Sequence, residues 1–318
     1  MRRLSVAACF AALMALPAIA PAAATAAAGA AAFRAPQAVR APMMAVARAG
    51  ERLVAAGDYG TVLLSDDAGR TWRQAATVPT RETLTALSFI DARHGWAVGH
   101  GGLVLATRDA GNTWESLHSA GKEVALFAVH FTDAAQGLAV GAFGFAMETR
   151  DGGRSWRKFA VAQGELADRH LYSIFAGADG SVWIAAEAGT VFRSPDGGRS
   201  FVALALPYKG SLWGGAVLSD KSILVWGMRG HVLHSADQGR VWREVPSGTD
   251  QAFTAGLQRP GGEVVLVGLG GVVARSRDGG RNFSTHVRPQ RQSHTAVIEA
   301  GGTIHTFTLA GVGGGIGD

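Results

Sequence analysis

Cysteine is almost absent from the 318-residue chain: the single one, Cys9, lies inside the apolar N-terminal stretch LSVAACFAALMALPAIA. If that stretch is a leader, the mature protein has no thiol, which excludes disulfides, thiolate nucleophiles and thiolate metal sites and leaves stability to packing. Lysine is scarce too. Lys122, Lys158, Lys209 and Lys221 are the only lysines among 30 cationic side chains, so arginine carries nearly all the positive charge. Charged residues form 17% of the chain against 47% hydrophobic, and the net charge is +5. That balance excludes a mainly disordered chain, and the excess is too small for a nucleic-acid polyelectrolyte binder. Tyrosine is limited to Tyr59, Tyr172 and Tyr208, so any phenolic nucleophile would have to be one of these.

The N-terminus reads as a secretory signal peptide over residues 1–26. Arg2 and Arg3 form the positive region, the apolar stretch is short and interrupted by proline, and AAATA (22–26) offers small-residue cleavage sites. VAAC (6–9) resembles a lipidation motif, but only five residues separate it from Arg3 and the apolar region continues beyond it, so plain cleavage is expected. The expected location is the periplasm, or the thylakoid lumen in a phototroph, and no stable membrane span is expected in the mature chain.

What the sequence has in abundance is repetition. SDDAGRTW (65–72) returns as TRDAGNTW, TRDGGRSW, SPDGGRSF, SADQGRVW and SRDGGRNF. The aspartates Asp67, Asp109, Asp151, Asp196, Asp237 and Asp278 are spaced by 42, 42, 45, 41 and 41 residues. A period near 42 with turn residues at fixed offsets signals four-stranded propeller blades. Between Trp72 and Trp114 the period-2 stretches LTALSFI, WAVGH, LVLAT and TWESL supply four strands. In the fifth unit AVLSD and ILVWG read as the first two strands, and in a seventh, motif-free unit HTAVIEA and TIHTFTLAG do. The chain thus predicts an all-β, seven-bladed propeller as one domain over 41–318. The segment 27–40 is expected to close the ring as an outer strand of the last blade.

Each eight-residue motif falls in the turn between the third and fourth strands. Glycine there can take positive φ, the aspartate can accept backbone N–H bonds, and Trp72, Trp114, Trp156, Phe201, Trp242 and Phe283 can pack between sheets. Separate blades hold the aspartates apart, against the carboxylate pairing that glycoside hydrolysis needs. Calcium at Asp66 and Asp67 would fall short of six to eight oxygen ligands. The histidines show no metal spacing, with His231 and His234 of HVLH expected on opposite sides of a strand, and no glycine-rich phosphate loop precedes a helix. No cofactor or metal is expected.

The repeated motif resembles the Asp box, S/T-x-D-x-G-x-T/S-W/F, shared by sialidases, xyloglucan hydrolases, sortilin-type receptors and the Ycf48-related photosystem II assembly factors. VARAGERLVAAGDYGTVLLSDDAGRTW and LTALSFIDARHGWAVGHGGLVLATRDAGNTW look most like the last group, with the similarity covering about residues 40 to 283 and strongest in the first two blades. The resemblance implies a non-catalytic, exported propeller that escorts a membrane protein during assembly, in phototrophs the reaction-centre protein D1, through an arginine-rich surface. The implied partner is a membrane-protein client or exported complex, bound by a chain that is a monomer by itself. The alternative is a carbohydrate-binding or sialidase-like hydrolase, for which FRAP (33–36) resembles the F/Y-R-I-P motif with alanine in third place; the sialidase tyrosine–glutamate pair has no counterpart adjacent in sequence.

A partner-binding surface is expected where the turns joining second to third strands share a face with the links between blades. The turns are GDYG, GHGG, GAFG, EAG, GMRG, GLGG and GVGGG. The leading contacts are Arg229, Arg81, Arg169 and Tyr59, with Lys209, Arg288, Arg291 and Phe143 beside them.

Overall fold

The computed structural model describes residues 30–317, and within them the chain forms seven antiparallel sheets arranged in a closed ring. The signal-peptide expectation for 1–26 lies outside the described residues. Blades 1 to 6 have four strands each, in sequence order from inner to outer; blade 7 has three. The inner strands are Met43–Ala49, Leu84–Phe89, Leu126–Phe131, Leu171–Ala176, Leu212–Val217, Phe253–Gln258 and His294–Ala300. Each touches the next, and the last touches the first.

Seven apolar clusters fill the seven gaps between neighbouring blades. Val54, Leu64, Leu84 and Trp114 join blades 1 and 2, for example, and Trp183, Leu212, Leu233 and Trp242 join blades 4 and 5. The second strands of blades 2 to 6 are buried from end to end, as Gly95–Gly99 and Val264–Gly268 show. A strand covered on both faces needs a continuous apolar run, which explains WAVG and VVLVG.

The Asp-box turns form one repeated hydrogen-bond unit. In blade 1, Asp67 Oδ1 accepts the Ser65 hydroxyl and the Thr71 N–H, both at 2.8 Å, while its Oδ2 accepts the Thr71 hydroxyl at 2.6 Å. Ser65 Oγ in turn accepts the Gly69 N–H, and the Trp72 indole donates to the Gly69 carbonyl at 3.1 Å. Gly69 has φ +86°. Thr71, through its hydroxyl and its backbone, holds the Asp67 pKa down at about 2. Side-chain bonds from Ser194 to Asp196, and from Asn282 to Asp278, lower those carboxyls in the same way. Blade 5 departs: Val241 offers Asp237 only its N–H, at 2.9 Å. Each box aromatic packs into the gap toward the preceding blade: Trp72 meets Phe307 of blade 7 edge-on at 5.5 Å, and Trp156 packs on the blade 2–3 cluster, edge-on to Phe131 of its own blade at 6.0 Å.

Three sequence expectations change at the strand level. Residues 30–40 form no strand. They run along the outer edge of blade 1, with Ala32 N–H donating to the Val78 carbonyl and the Gln74 side chain bonded to Ala35 and Phe33, and end in a 3-10 turn at Ala38–Arg40. That turn packs beside the last strand, where only a glycine fits: a Cβ on Gly311 would lie 2.0 Å from the Val39 carbonyl oxygen. The ring is therefore closed by a clasp. GVGGG is no turn either; it lies in the third strand of blade 7, Gly311–Ile316, and the turn sits before it at Leu309 and Ala310. In blade 5 the inner strand is LWGGAV rather than AVLSD, because Gly214 and Gly215 lie flat under the Trp226 and Phe175 rings, with no room for a Cβ.

Candidate protein-binding face

In blades 1 to 6 the turns between second and third strands are built alike, and their middle residue is left-handed. Tyr59, Phe143, Ala188 and Arg229 have φ between 52° and 55°, at the position where blades 2 and 6 carry Gly101 and Gly270. Large side chains held in a conformation that glycine adopts without cost are a reason to look for function. Phe143 is 73% exposed and Tyr59 66% exposed, and Arg229 is exposed at the equivalent tip of blade 5. The links between blades return to this face, as the Gly60 N–H to Glu82 carbonyl, Gly144 N–H to Arg169 carbonyl and Gly189 N–H to Gly210 carbonyl bonds show.

A second repeated feature lies on the inner strands. In every blade the register between inner and second strand slips after the first pair, leaving one bulged residue: Met44, Thr85, Phe127, Tyr172, Trp213, Thr254 or Thr295. Bulges re-aim side chains. Three of the threonines tie neighbouring inner strands together: Thr85 donates to the Leu126 carbonyl and Thr254 to the His294 carbonyl, each at 2.7 Å, and Thr295 donates to the Met43 carbonyl. In the three consecutive blades 3, 4 and 5 the same position is aromatic. Phe127 and Tyr172 stack across the blade boundary at 5.9 Å and 11°, and Trp213 is half-buried at the equivalent place.

Around this arc the links and turns of blades 3 to 5 add further rings and cations. Phe143 lies 4.7 Å from His170 and its N–H donates to His170 Nδ1, while His170 lies 5.9 Å from Tyr172. Tyr208 packs on His231 at 4.2 Å and donates its hydroxyl to the Met228 carbonyl. Arg169, Lys209 and Arg229 belong to the same sector; the Arg169 Nε is buried with no protein partner.

The other expected contacts are spread elsewhere. Arg81 holds the clasp, donating to the Ala31 carbonyl at 3.0 Å with its guanidinium 3.7 Å from the Phe33 ring centre. Tyr59 belongs to blade 1, three blades from Arg229. Arg288 and Arg291 lie in the link between blades 6 and 7, where the Arg291 N–H donates to the Arg288 carbonyl.

The bulge aromatics were missed in sequence because each reads as an ordinary strand residue. Their signal is positional: Phe127, Tyr172 and Trp213 each stand 24 residues before a box aspartate, as Thr85 and Thr254 do in blades 2 and 6. Elsewhere on the face, burial raises the Tyr208 pKa, away from a phenolate nucleophile, and Glu244 bonds the His231 ring rather than the Tyr208 hydroxyl. The FRAP phenylalanine covers Arg81. Among the described residues no group of three or more His, Cys, Asp or Glu is placed to hold a metal ion.

The fold and its turns define a seven-bladed Asp-box β-propeller with one aromatic, cation-bearing sector on its turn-and-link face. Residues 119–216 match the family described as photosynthesis system II assembly factor YCF48. That match runs from the end of blade 2 to the inner strand of blade 5, rather than over the first two blades. Among solved structures, YCF48 bound to D1 peptide superposes with a TM-score of 0.72 at 17% identity, covering 89% of this chain and 94% of that one. YCF48 from Cyanidioschyzon merolae gives 0.68 at 16%, covering 88% and 95%. Virginiamycin B lyase from Staphylococcus aureus gives 0.73 at 9%, covering 87% and 94%, which shows the fold alone. No curated protein matches the chain.

Proposed function

We propose that this protein is an exported, non-catalytic scaffold that holds a segment of a membrane-protein client during assembly, photosystem II where the source is phototrophic. The match over 119–216 and the likeness to a YCF48 structure bound to D1 peptide support the client class. The observation that carries the reading is local: Phe127, Tyr172 and Trp213 replace the threonines that tie inner strands together in blades 2, 6 and 7. Aromatic side chains beside arginine are favoured interface anchors, because they bury much area at little cost in conformational freedom. Phe143, Arg169, Lys209 and Arg229 complete the contact zone. Tyr59 contributes from across the ring, and Arg288 and Arg291 form a separate polar edge.

The working form is a monomer in the periplasm, or in the lumen of a phototroph, processed near residue 26. N-terminal sequencing of the exported protein checks the processing, and a lipidated Cys9 terminus would refute it. Affinity capture from native membranes tests the function. Wild type is expected to retain a membrane protein that the Phe127→Ala/Tyr172→Ala/Trp213→Ala variant loses. Equal capture by both would remove this sector from the account, and turnover of a sialoside or glucan would replace the scaffold with an enzyme.

A further inference from the structure

The gap between blades 6 and 7 is built differently from the other six. Among the described residues blade 7 has neither a fourth strand nor an Asp box, so no box aromatic enters this gap. The apolar cluster here consists of Val265, Val267, Val273, Ile304 and Ile316, which are all aliphatic.

The departure is sharpest at one pair. In blades 1 to 6 the first residue of the inner strand is a large apolar side chain paired with a small residue: Met43 with Gly57, Leu84 with Gly99, Leu126 with Gly141, Leu171 with Ala186, Leu212 with Gly227 and Phe253 with Gly268. In blade 7 the pair is His294 with Thr308. His294 is only 2% exposed, as buried as the leucines it replaces, yet neither ring nitrogen has a protein partner. A buried imidazole without partners is costly, and a histidine at a leucine position has no packing rationale.

The ring borders a cavity of about 210 Å³ that it lines with Arg288, Gln290, Gln292, Thr306, Thr308 and the Gly313–Gly314 backbone. This is far above the ~10–15 Å³ that admits one water. Thr306 and Thr308 are buried, and Arg288, Gln290 and Gln292 come from the link, so the cavity belongs to the turn-and-link face. Burial, reinforced by the Arg288 charge, holds the His294 pKa down at about 4, so the neutral ring presents one N–H and one lone pair.

We infer that this cavity is a binding site for a small carboxylate that also carries a hydrogen-bond donor, such as a hydroxy acid. Arg288 supplies the cation. The glutamine amides and the imidazole N–H supply donors to carboxylate oxygens, and the second imidazole nitrogen accepts the ligand's own hydroxyl; the Thr306 and Thr308 hydroxyls donate to the Gly314 and Gly311 carbonyls and shape the wall. The site shares only Arg288 with the proposed client-binding face and uses none of the aromatic arc that carries that reading.

Glycolate is the probe, with uncharged glycolamide and hydroxyl-free acetate as controls, and the His294 ring resonances are the readout. Glycolate is expected to shift them saturably, acetate to bind more weakly and glycolamide weakest. Arg288→Leu should weaken glycolate about tenfold or more, the range for a hydrogen-bonded charge. His294→Leu restores the pattern of the other blades, so it should fold with a raised Tm while losing glycolate-induced thermal stabilisation. Unmoved ring resonances would overturn the site, as would glycolamide binding as well as glycolate, or a His294→Leu protein stabilised by glycolate as much as wild type.

Discussion

The Asp-box edge and the turn-and-link face are both repeated around the ring, but only one of them is repeated faithfully. At the edge, Asp67, Asp109, Asp151, Asp196, Asp237 and Asp278 sit in the same hydrogen-bonded turn, and Val241, which removes a hydroxyl, and Phe201 and Phe283, which remove an indole N–H, leave the turn in place. On the face, the backbone is repeated and the side chains are not: the bulge position changes from threonine to aromatic, and the turn tip from glycine to Phe143 or Arg229. Faithful repetition is what a fold requires of every blade. Departure on an unchanged backbone is where the proposed client contacts fall.

The largest expected effect would break this division at the arc. Phe127→Ala, Tyr172→Ala and Trp213→Ala together should weaken client capture by more than ~30-fold, the scale of one interface hot spot at ~2 kcal/mol. Thr85→Val or Thr254→Val should leave capture unchanged. At the edge the expectation is inverted. Asp109 accepts the Thr113 N–H and hydroxyl and the Thr107 hydroxyl, so Asp109→Ala should lower stability by roughly 1–3 kcal/mol with capture intact. Urea denaturation reads the first and capture at fixed temperature the second.

Acid should expose the same contrast. The Asp67 carboxyl, ordinarily at 3.8, is held at about 2 in the fold by Thr71, so its contribution is fully present above 3.8 and is lost as pH falls through about 2. His294 acts earlier. Its folded pKa of about 4 lies below the ordinary 6.5, so the unfolded chain takes up a proton first and stability declines between 6.5 and 4. His118, His130 and His234, also pushed down by burial, add to that decline. A Tm–pH profile should thus fall in two steps, and His294→Leu should flatten the upper one. The smallest effect is expected from Val241→Thr, which restores a hydroxyl to Asp237 and should raise Tm slightly. No rise would mean that the box hydroxyls contribute nothing at an exposed turn.

The edge was legible in the sequence because a turn needs particular residue types at fixed offsets, so SDDAGRTW and its copies marked the period, six of the blades and the box turn, while HTAVIEA and TIHTFTLAG marked the seventh blade. The glycine-rich strand of blade 7 was not, since Gly311, Gly313, Gly314 and Gly315 lack the side chains that usually mark a strand, and glycine fits here because a neighbouring turn approaches at Gly311. Arg81 was legible as a surface cation, but its engagement by Phe33 depends on where the N-terminal segment docks. The arc was hidden for another reason. A bulge is a property of pairing, and nothing in LFAVHF or LYSIFA marks Phe127 or Tyr172 as the residue that drops out of register.

The most direct test of the central claim places a photo-crosslinking amino acid at one position per protein and irradiates it in the native membrane. Two sites suffice: Phe143, on the turn-and-link face, and Val202, 60% exposed on the outer strand of blade 4. A shared, specific adduct with one membrane protein from Phe143 and none from Val202 is the predicted result. An adduct from Val202 without one from Phe143 would place the partner on the outer edge and contradict the account.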